Sequence, residues 1–170
     1  MLNIFNFCKK DDTRAFCRQP FNHSGYTVAT SGAAIIFSTL ETEFSKNPNP
    51  AHDISYILNR TPKQIDTDLF DDVDKELFEK TCPFCHNSNG VLYDDEGYKC
   101  NSCDSGMLKY YKIDGRFFNK KYIDLINHPE TRISSVIMLE SYPLEVEGLF
   151  FRNNEQFGLI MRLRNDPAKF

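Results

Sequence analysis

The chain has 170 residues, a formal net charge of −4 at neutral pH and a hydrophobic fraction of 41%. The acidic balance argues against wrapping of nucleic acid by a broadly basic surface, and no apolar stretch approaches the roughly 18 residues of a membrane-spanning helix. The start, MLNIFNFCKK, lacks the basic and apolar regions of a secretory signal, and the six cysteines fit a reducing compartment. A cytoplasmic protein without membrane contact is therefore expected.

Short elements separated by turn residues dominate the first third of the chain. Residues 2–8 predict a short helix, and turn sequences occupy residues 22–25 and 31–32. Apolar runs between these turns predict strands. The predicted strands are 15–21, 26–30, 33–38 and, further along, 55–58. The first third is therefore interpreted as a β-meander.

Residues 61–80 form an acidic segment. Within 66–79, seven carboxylates stand against one lysine, and this local net charge of −6 leaves +2 for the rest of the chain. The apolar residues of the segment recur with helical spacing, which predicts an amphipathic helix with a solvated acidic face. An extended acidic linker is the alternative interpretation.

Two C-x-x-C pairs, CPFC and CNSC, follow the acidic segment with fourteen residues between them. Four thiolates at this spacing suit tetrahedral Zn²⁺ and leave no open position for a substrate. The pattern predicts a zinc ribbon over residues 81–107, with two disulfides or a redox pair as alternatives. His86, next to the second cysteine, is an alternative ligand. The predicted zinc ligands are Cys82, Cys85, Cys100 and Cys103.

The last third predicts more strands and one short helix. Asn119 is the predicted N-cap of a helix whose apolar side carries Tyr122, Ile123 and Ile126 and which stops before Pro129. The predicted strands are 109–113, 136–139, 144–146 and 157–163.

Three segments resemble the domains of the bacterial DNA polymerase III beta sliding clamp. Residues 26–32, YTVATSG, resemble the clamp signature TVATDGHRL, and residues 118–126, FNKKYIDLI, resemble its strand-to-helix step FNxKYLLDxL. Residues 159–164, LIMRLR, resemble its closing strand VVMPMRL. The resemblance implies an α+β fold: a single processivity-fold (DNA-clamp-like) domain of antiparallel sheets and short helices. Residues 1–60 and 108–170 would form this domain, with the zinc ribbon inserted.

The chain also departs from the clamp. Ser31, Ala33 and Ala34 stand where the clamp has Asp, His and Arg, and Arg162 stands where it has proline. A clamp chain holds three such domains, whereas this chain has room for one. Small clamp-like proteins with inserted zinc motifs resemble bacteriophage or prophage products, which implies the host cell cytoplasm. One domain with a near-neutral body implies a monomer or homodimer that does not encircle DNA.

Part of the acidic segment resembles a partner-binding peptide. Residues 66–70, DTDLF, are similar to the clamp-binding peptide Q-[LA]-[SD]-L-F, in which Leu and Phe enter an apolar pocket. The alternative is that Leu69 and Phe70 face the core of this chain. The residues assigned to partner binding are Asp66, Asp68, Leu69, Phe70, Asp71, Asp72 and Asp74.

A non-enzymatic function is expected, because no nucleophile elbow, zinc-protease, P-loop or dinucleotide motif occurs in the chain. The predicted activity is binding of other macromolecules, either host or phage replication or repair proteins or a host complex. One alternative is inhibition of a host nuclease or CRISPR-type defence complex, with acidic side chains where phosphates would lie. The other is nucleic-acid binding through the zinc ribbon. The basic residues around and after the ribbon are Lys99, Lys109, Lys112, Arg116, Lys120 and Lys121.

Overall fold

A computed structural model gives the architecture of the chain. None of its helices, in the part of the chain it describes, is long and apolar enough to cross a membrane. The side chains of residues 56, 60, 137–141 and 144–146 are outside the description. The described residues are 1–39, 44–45, 54–60, 68–83, 85, 103, 106–134, 137–141 and 144–163.

The protein is mainly β, with antiparallel sheets and few short helices. The strands are β1 (Phe21–His23), β2 (Tyr26–Thr30), β3 (Ala34–Ser38), β4 (Asp68–Leu69), β5 (Glu76–Thr81), β6 (Met107–Ile113), β7 (Arg116–Asn119), β8 (Arg132–Ile133), β9 (Ile137–Ser141), β10 (Leu144–Asn153) and β11 (Gln156–Met161). The helices are α1 (Ser55–Arg60) and α2 (Lys120–Leu125), and 3-10 turns span Ile4–Phe7, Ala15–Cys17 and Phe70–Asp72.

The strands form two antiparallel sheets. The large sheet runs in the order β1-β2-β3-β11-β10-β8-β4, with β9 also paired to β10. The small sheet has the order β5-β6-β7. A backbone hydrogen bond joins the two sheets after β11, where the Leu163 N–H donates to the Phe117 carbonyl at 2.8 Å.

The central strands of the large sheet bury side chains on both faces. Consecutive residues of a strand point to opposite sides of the sheet. Ile35 and Leu159 face one side, whereas Ile36 and Ile160 face the other. The inner core comprises Leu2, Phe7, Ala29, Ala34, Ile36, Phe70, Ile113, Phe118, Ile123, Ile126, Ile133, Leu149, Phe151 and Ile160. The outer core comprises Phe16, Cys17, Phe21, Val28, Ile35, Phe37, Ile54, Phe150 and Leu159.

Several local predictions are confirmed. Strands β2, β3, β6 and β11 lie where the apolar runs predict them, within one or two residues at their ends. The Asn119 side chain accepts a hydrogen bond from the Lys121 N–H at 2.9 Å and so caps α2. The helix predicted over residues 2–8 is a single 3-10 turn, Ile4–Phe7.

Two predicted strands are wrong. Residues 15–17 form a 3-10 turn, because the chain bends there to bury both Phe16 and Cys17 in the outer core, and the strand begins only after Pro20. Residues 55–58 belong to α1, not to a strand. Ile54, Ile57 and Leu58 have helical spacing and pack together against the outer core. A short apolar run fits either structure until its packing partner is known.

The amphipathic helix predicted for the acidic segment is also wrong in its described residues. The chain forms β4, a 3-10 turn and β5 instead. Phe70 turns into the inner core with 4% of its surface exposed, and β5 pairs along its whole length with β6. Aspartate is a poor residue for a helix interior, so strand pairing overrides the weak apolar period. The extended alternative is closer, but the described part of the segment belongs to the sheets and is not a linker.

The buried carboxylate of Asp12 lies just before the 3-10 turn Ala15–Cys17. Through Arg14 it links this part of the chain to the end of β2. Asp12 is 8% exposed and accepts hydrogen bonds from Arg14 Nε at 2.8 Å and Nη2 at 2.9 Å. The same guanidinium donates to the Ser31 carbonyl at 3.3 Å. Gly32 follows with φ of +84°, and a Cβ there would collide with the guanidinium. Glycine is therefore required at this position for both backbone and space.

The Asp12–Arg14 pair predicts a specific loss of stability in acid. Hydrogen bonds from Arg14 hold the pKa of Asp12 well below its ordinary value. Its contribution to stability is therefore complete above the unfolded-state pKa of about 4 and falls progressively below it. Urea unfolding between about pH 7 and about pH 2.5 should show a weaker acid dependence in Asp12→Asn than in the native protein. Asp11→Asn, an exposed neighbour, should behave as native, and equal slopes in all three proteins would contradict the assignment.

Candidate metal centre

The cysteines lie where the β5–β6 ladder ends. Thr81 pairs with Met107 as the last register pair, and the Cys82 N–H donates to the Gly106 carbonyl at 2.8 Å. Gly106 has φ of +88°, a left-handed conformation that favours glycine. The chain therefore leaves β5 and re-enters β6 at one point, with Cys82 at the exit.

Three thiols converge at this point. The Sγ atoms of Cys82, Cys85 and Cys103 all lie within 4.8 Å of one another, and those of Cys85 and Cys103 are 3.4 Å apart. Thiolates bound tetrahedrally to zinc at about 2.3 Å lie about 3.8 Å from one another, which fits this spacing. A disulfide needs about 2.05 Å, so Cys85 and Cys103 are not bonded to each other. The cluster could therefore hold a metal ion such as zinc.

Two of the three thiols of the cluster are shielded from solvent. Cys82 and Cys85 are fully buried, and Leu108 of β6 packs against them with Cys103. Tyr110, on the same strand, is 8% exposed, and its burial, followed by the charge of a Cys82 thiolate, raises its pKa. A site that is closed in this way suits a structural ion better than a catalytic one. Cys100, the fourth predicted ligand, and His86, its alternative, lie outside the described residues.

The aspartates that the sequence analysis assigns to partner binding lie on the surface, as far as the structure describes them. Asp68, Asp71, Asp72 and Asp74, here named the acidic strip, are all exposed. Within the residues that the structure describes, none of the four has an ion pair. Lys75 Nζ instead contacts the Phe70 carbonyl and lies 4.1 Å from the centre of the Phe70 ring. No ion pair among the described residues therefore compensates the acidic strip.

The two apolar residues of the peptide-like segment separate. Leu69 is 37% exposed, whereas Phe70 is buried in the inner core, and the Phe70 N–H donates to the Thr131 carbonyl at 2.9 Å. A partner that took up both side chains would have to pull Phe70 out of the core first. Asp66 lies outside the described residues.

Most of the basic residues around the cysteines are paired with carboxylates. Cross-strand ion pairs join Lys109 to Glu79 at 3.5 Å and Lys112 to Glu76 at 3.8 Å. Lys120 contacts Asp124 one helical turn away, and Arg116 lies 3.7 Å from Glu147. Lys121 lies 6.0 Å above the ring of Tyr122. Lys99 is outside the described residues. These pairs leave little net positive charge on the small sheet.

Sequence reasoning missed Glu147. Its carboxylate is 11% exposed and contacts the guanidinium of Arg162, while the Arg162 N–H donates to the Glu147 carbonyl at 3.1 Å. This contact gives Arg162 a structural role. Residues 116, 147 and 162 are too far apart in the chain for any spacing rule to connect them.

One histidine contacts a hydroxyl group. His23 Nε2 and Ser55 Oγ are 2.9 Å apart. A nucleophilic serine needs a histidine that a third group orients. Within the described residues, no such contact to His23 Nδ1 is present. The pair joins β1 to α1, and the absence of enzymatic activity stays a prediction.

Comparisons of the chain with protein-family models, with curated proteins and with solved structures found no match. The functional interpretation therefore depends on the geometry described above.

Proposed function

We propose that this chain is a non-catalytic, phage-type protein that binds another protein through the acidic strip. Its scaffold is a single clamp-like domain, and a zinc ribbon with ligands Cys82, Cys85, Cys100 and Cys103 stabilises the inserted segment. It acts in the cytoplasm as a monomer or homodimer. Its partner is a replication, repair or defence protein with a basic surface.

The packing of the three clamp-like segments supports the scaffold. Ala29 of β2, Phe118 and Ile123 of the β7–α2 step and Ile160 of β11 all belong to the inner core. The residues that carry the resemblance are therefore neighbours in space, as they would have to be if they had a common structural origin.

The chemistry of the cysteines supports zinc as the ion. Three convergent thiols, two of them fully buried, offer soft ligands that favour zinc over magnesium or calcium. In the CNSC motif, Cys100 has the same spacing to Cys103 that Cys82 has to Cys85 in CPFC. Cys100 is accordingly the proposed fourth ligand.

The observation that carries the binding proposal is the contrast between two surfaces. Glutamates on β5 pair with lysines on β6, whereas the acidic strip, only a few residues earlier, makes no ion pair within the described part of the chain. Carboxylates without a compensating charge repel one another, so their presence favours a function in which a partner neutralises them. Leu69, exposed within the strip, adds an apolar contact of the kind that protein interfaces use.

Capture from host lysate tests this proposal. The variant Asp71→Asn/Asp72→Asn/Asp74→Asn removes three charges, and Asp11→Asn/Asp114→Asn/Glu155→Gln removes three exposed charges elsewhere. If each strip carboxylate contributes about 0.5 kcal/mol, the first variant should bind its partner about tenfold more weakly. The control variant should capture the same protein as the native chain, and added salt should weaken capture. Equal capture by both variants would exclude the strip as the interface.

The lysate should be treated with nuclease before capture. If the bound material disappears with this treatment, nucleic-acid binding replaces protein binding as the function. The pairing of Lys109, Lys112, Arg116 and Lys120 with carboxylates gives that alternative less support. A partner that is a nuclease or a defence protein would favour inhibition, because a carboxylate strip can occupy a channel meant for phosphates.

A further inference from the structure

Strand β5 has almost no hydrophobic attachment to the protein. None of its residues, Glu76–Thr81, belongs to the inner or the outer core as the structure describes them. Leu77 is 47% exposed, and Phe78 is only partly buried, with an edge-on contact to Phe117 at 5.2 Å between ring centres. Most of what holds a strand in place, the burial of its side chains, is therefore absent here.

The backbone of β5 is paired on one side only among the described strands. It is at the edge of the small sheet, where its ladder partner is β6. Within the described residues, β5 forms exposed ion pairs with Lys109 and Lys112, and exposed ion pairs contribute little stability. As far as the structure describes it, β5 is therefore held to the three-stranded sheet mainly by its backbone ladder with β6.

Two anchors flank the region. Upstream, the Phe70 side chain is buried in the inner core, and the Phe70 N–H donates a hydrogen bond to the Thr131 carbonyl. Downstream, Cys82 follows the last residue of β5 and lies in the thiol cluster. The connection from β5 to β6 covers residues 82–106, and closing so long a loop has an entropic cost. A metal ion shared by Cys82 and Cys103 joins the two ends of this loop and removes most of that cost.

We propose that the metal ion at the thiol cluster controls the order of β5 and, through it, of Asp71, Asp72 and Asp74 in the acidic strip. These three residues lie between Phe70 and β5. Phe70 and Val73 hold the segment to the inner core, whereas β5, its downstream attachment, would depend on the metal. Partner binding is therefore metal-dependent. This second step rests on the proposed function, whereas the effect of the metal on β5 does not.

Hydrogen exchange of the full-length chain tests the first step. The zinc-loaded protein is compared with protein stripped by a chelator under reducing conditions. Amides of Glu76–Thr81 should exchange roughly tenfold faster or more without metal, while those of β11 keep their protection. Adding zinc should restore the β5 amides. Unchanged protection of β5, or an equal loss in β11, would overturn the proposal.

Binding of an oligolysine peptide tests the second step. The peptide should bind the zinc-loaded protein several-fold more tightly than the stripped protein. The variant Asp71→Asn/Asp72→Asn/Asp74→Asn should bind weakly in both states. Equal binding by both states of the native chain would overturn metal control while leaving the acidic strip as the interface. Absence of binding in both states, with β5 still metal-dependent, would refute the strip as an interface and with it the second step.

Discussion

Replacing Cys82 by Ser is expected to abolish stoichiometric zinc binding. Cys82 is fully buried, its Sγ is one of three that converge, and its N–H closes the β5–β6 ladder. Structural zinc in small domains contributes on the order of 10–16 kcal/mol of apparent binding free energy at pH 7, and loss of a thiolate ligand removes much of it. Metal analysis of purified native protein should give about one zinc per chain, and the variant well under one.

Cys8→Ser is the matched control for this measurement. Cys8 is a half-buried free thiol beside the inner core and not part of the thiol cluster. Its replacement should leave the zinc content at the native level. As far as the structure describes them, the two cores contain no residue from the segment between β5 and β6, so cooperative unfolding of the body should survive in Cys82→Ser. A zinc content equal to native in Cys82→Ser would refute the metal centre.

Phe118→Ala is expected to have the largest effect on global stability, at about 3–5 kcal/mol. Phe118 of β7 is fully buried and brings the small sheet and α2 against the inner face of the large sheet. Truncation would leave a cavity between the small sheet, α2 and the large sheet. Because protein interiors are closely packed, the surrounding side chains would fill this cavity only partly. Urea unfolding followed by circular dichroism measures the loss, provided that the slope with urea is unchanged.

The neighbouring Phe117→Ala change provides the control. Phe117 points to the other face of the same strand, is only partly buried and contacts Phe78 at the edge of the small sheet. Its replacement should cost clearly less than that of Phe118. If the two variants were equally destabilised, the small sheet would not pack on the large one through the face assigned here.

The two predictions test separate parts of the protein, namely the inner core and the thiol cluster. The inner core contains residues such as Phe118 that lie apart from the thiol cluster, whereas Cys82 of that cluster directly follows β5. Together, the two predictions expect the inner core to stay folded when the metal is lost. The acidic strip, which lies between the inner core and β5, is where this local change would reach a partner.

Local chemistry was sufficient to predict part of this structure from the sequence. Asn119 caps α2, and Gly32, in the turn predicted at residues 31–32, has a left-handed φ of 84°. Short-range backbone preferences determine such features, so the residues alone reveal them. The convergence of Cys82 with Cys85 is equally local, because a C-x-x-C turn brings its two thiols together wherever it binds a metal.

Only the tertiary structure decided the fate of the acidic segment. Its apolar residues have helical spacing, but β5 pairs with β6 and Phe70 is buried in the inner core. Both are contacts with distant parts of the chain. The same holds for residues 15–17 and 55–58, whose apolar side chains bury against the large sheet as a turn and a helix. The ion pairs that neutralise Lys109 and Lys112 also arise from strand register. Short segments have weak intrinsic preferences, so the partner against which they pack determines their structure.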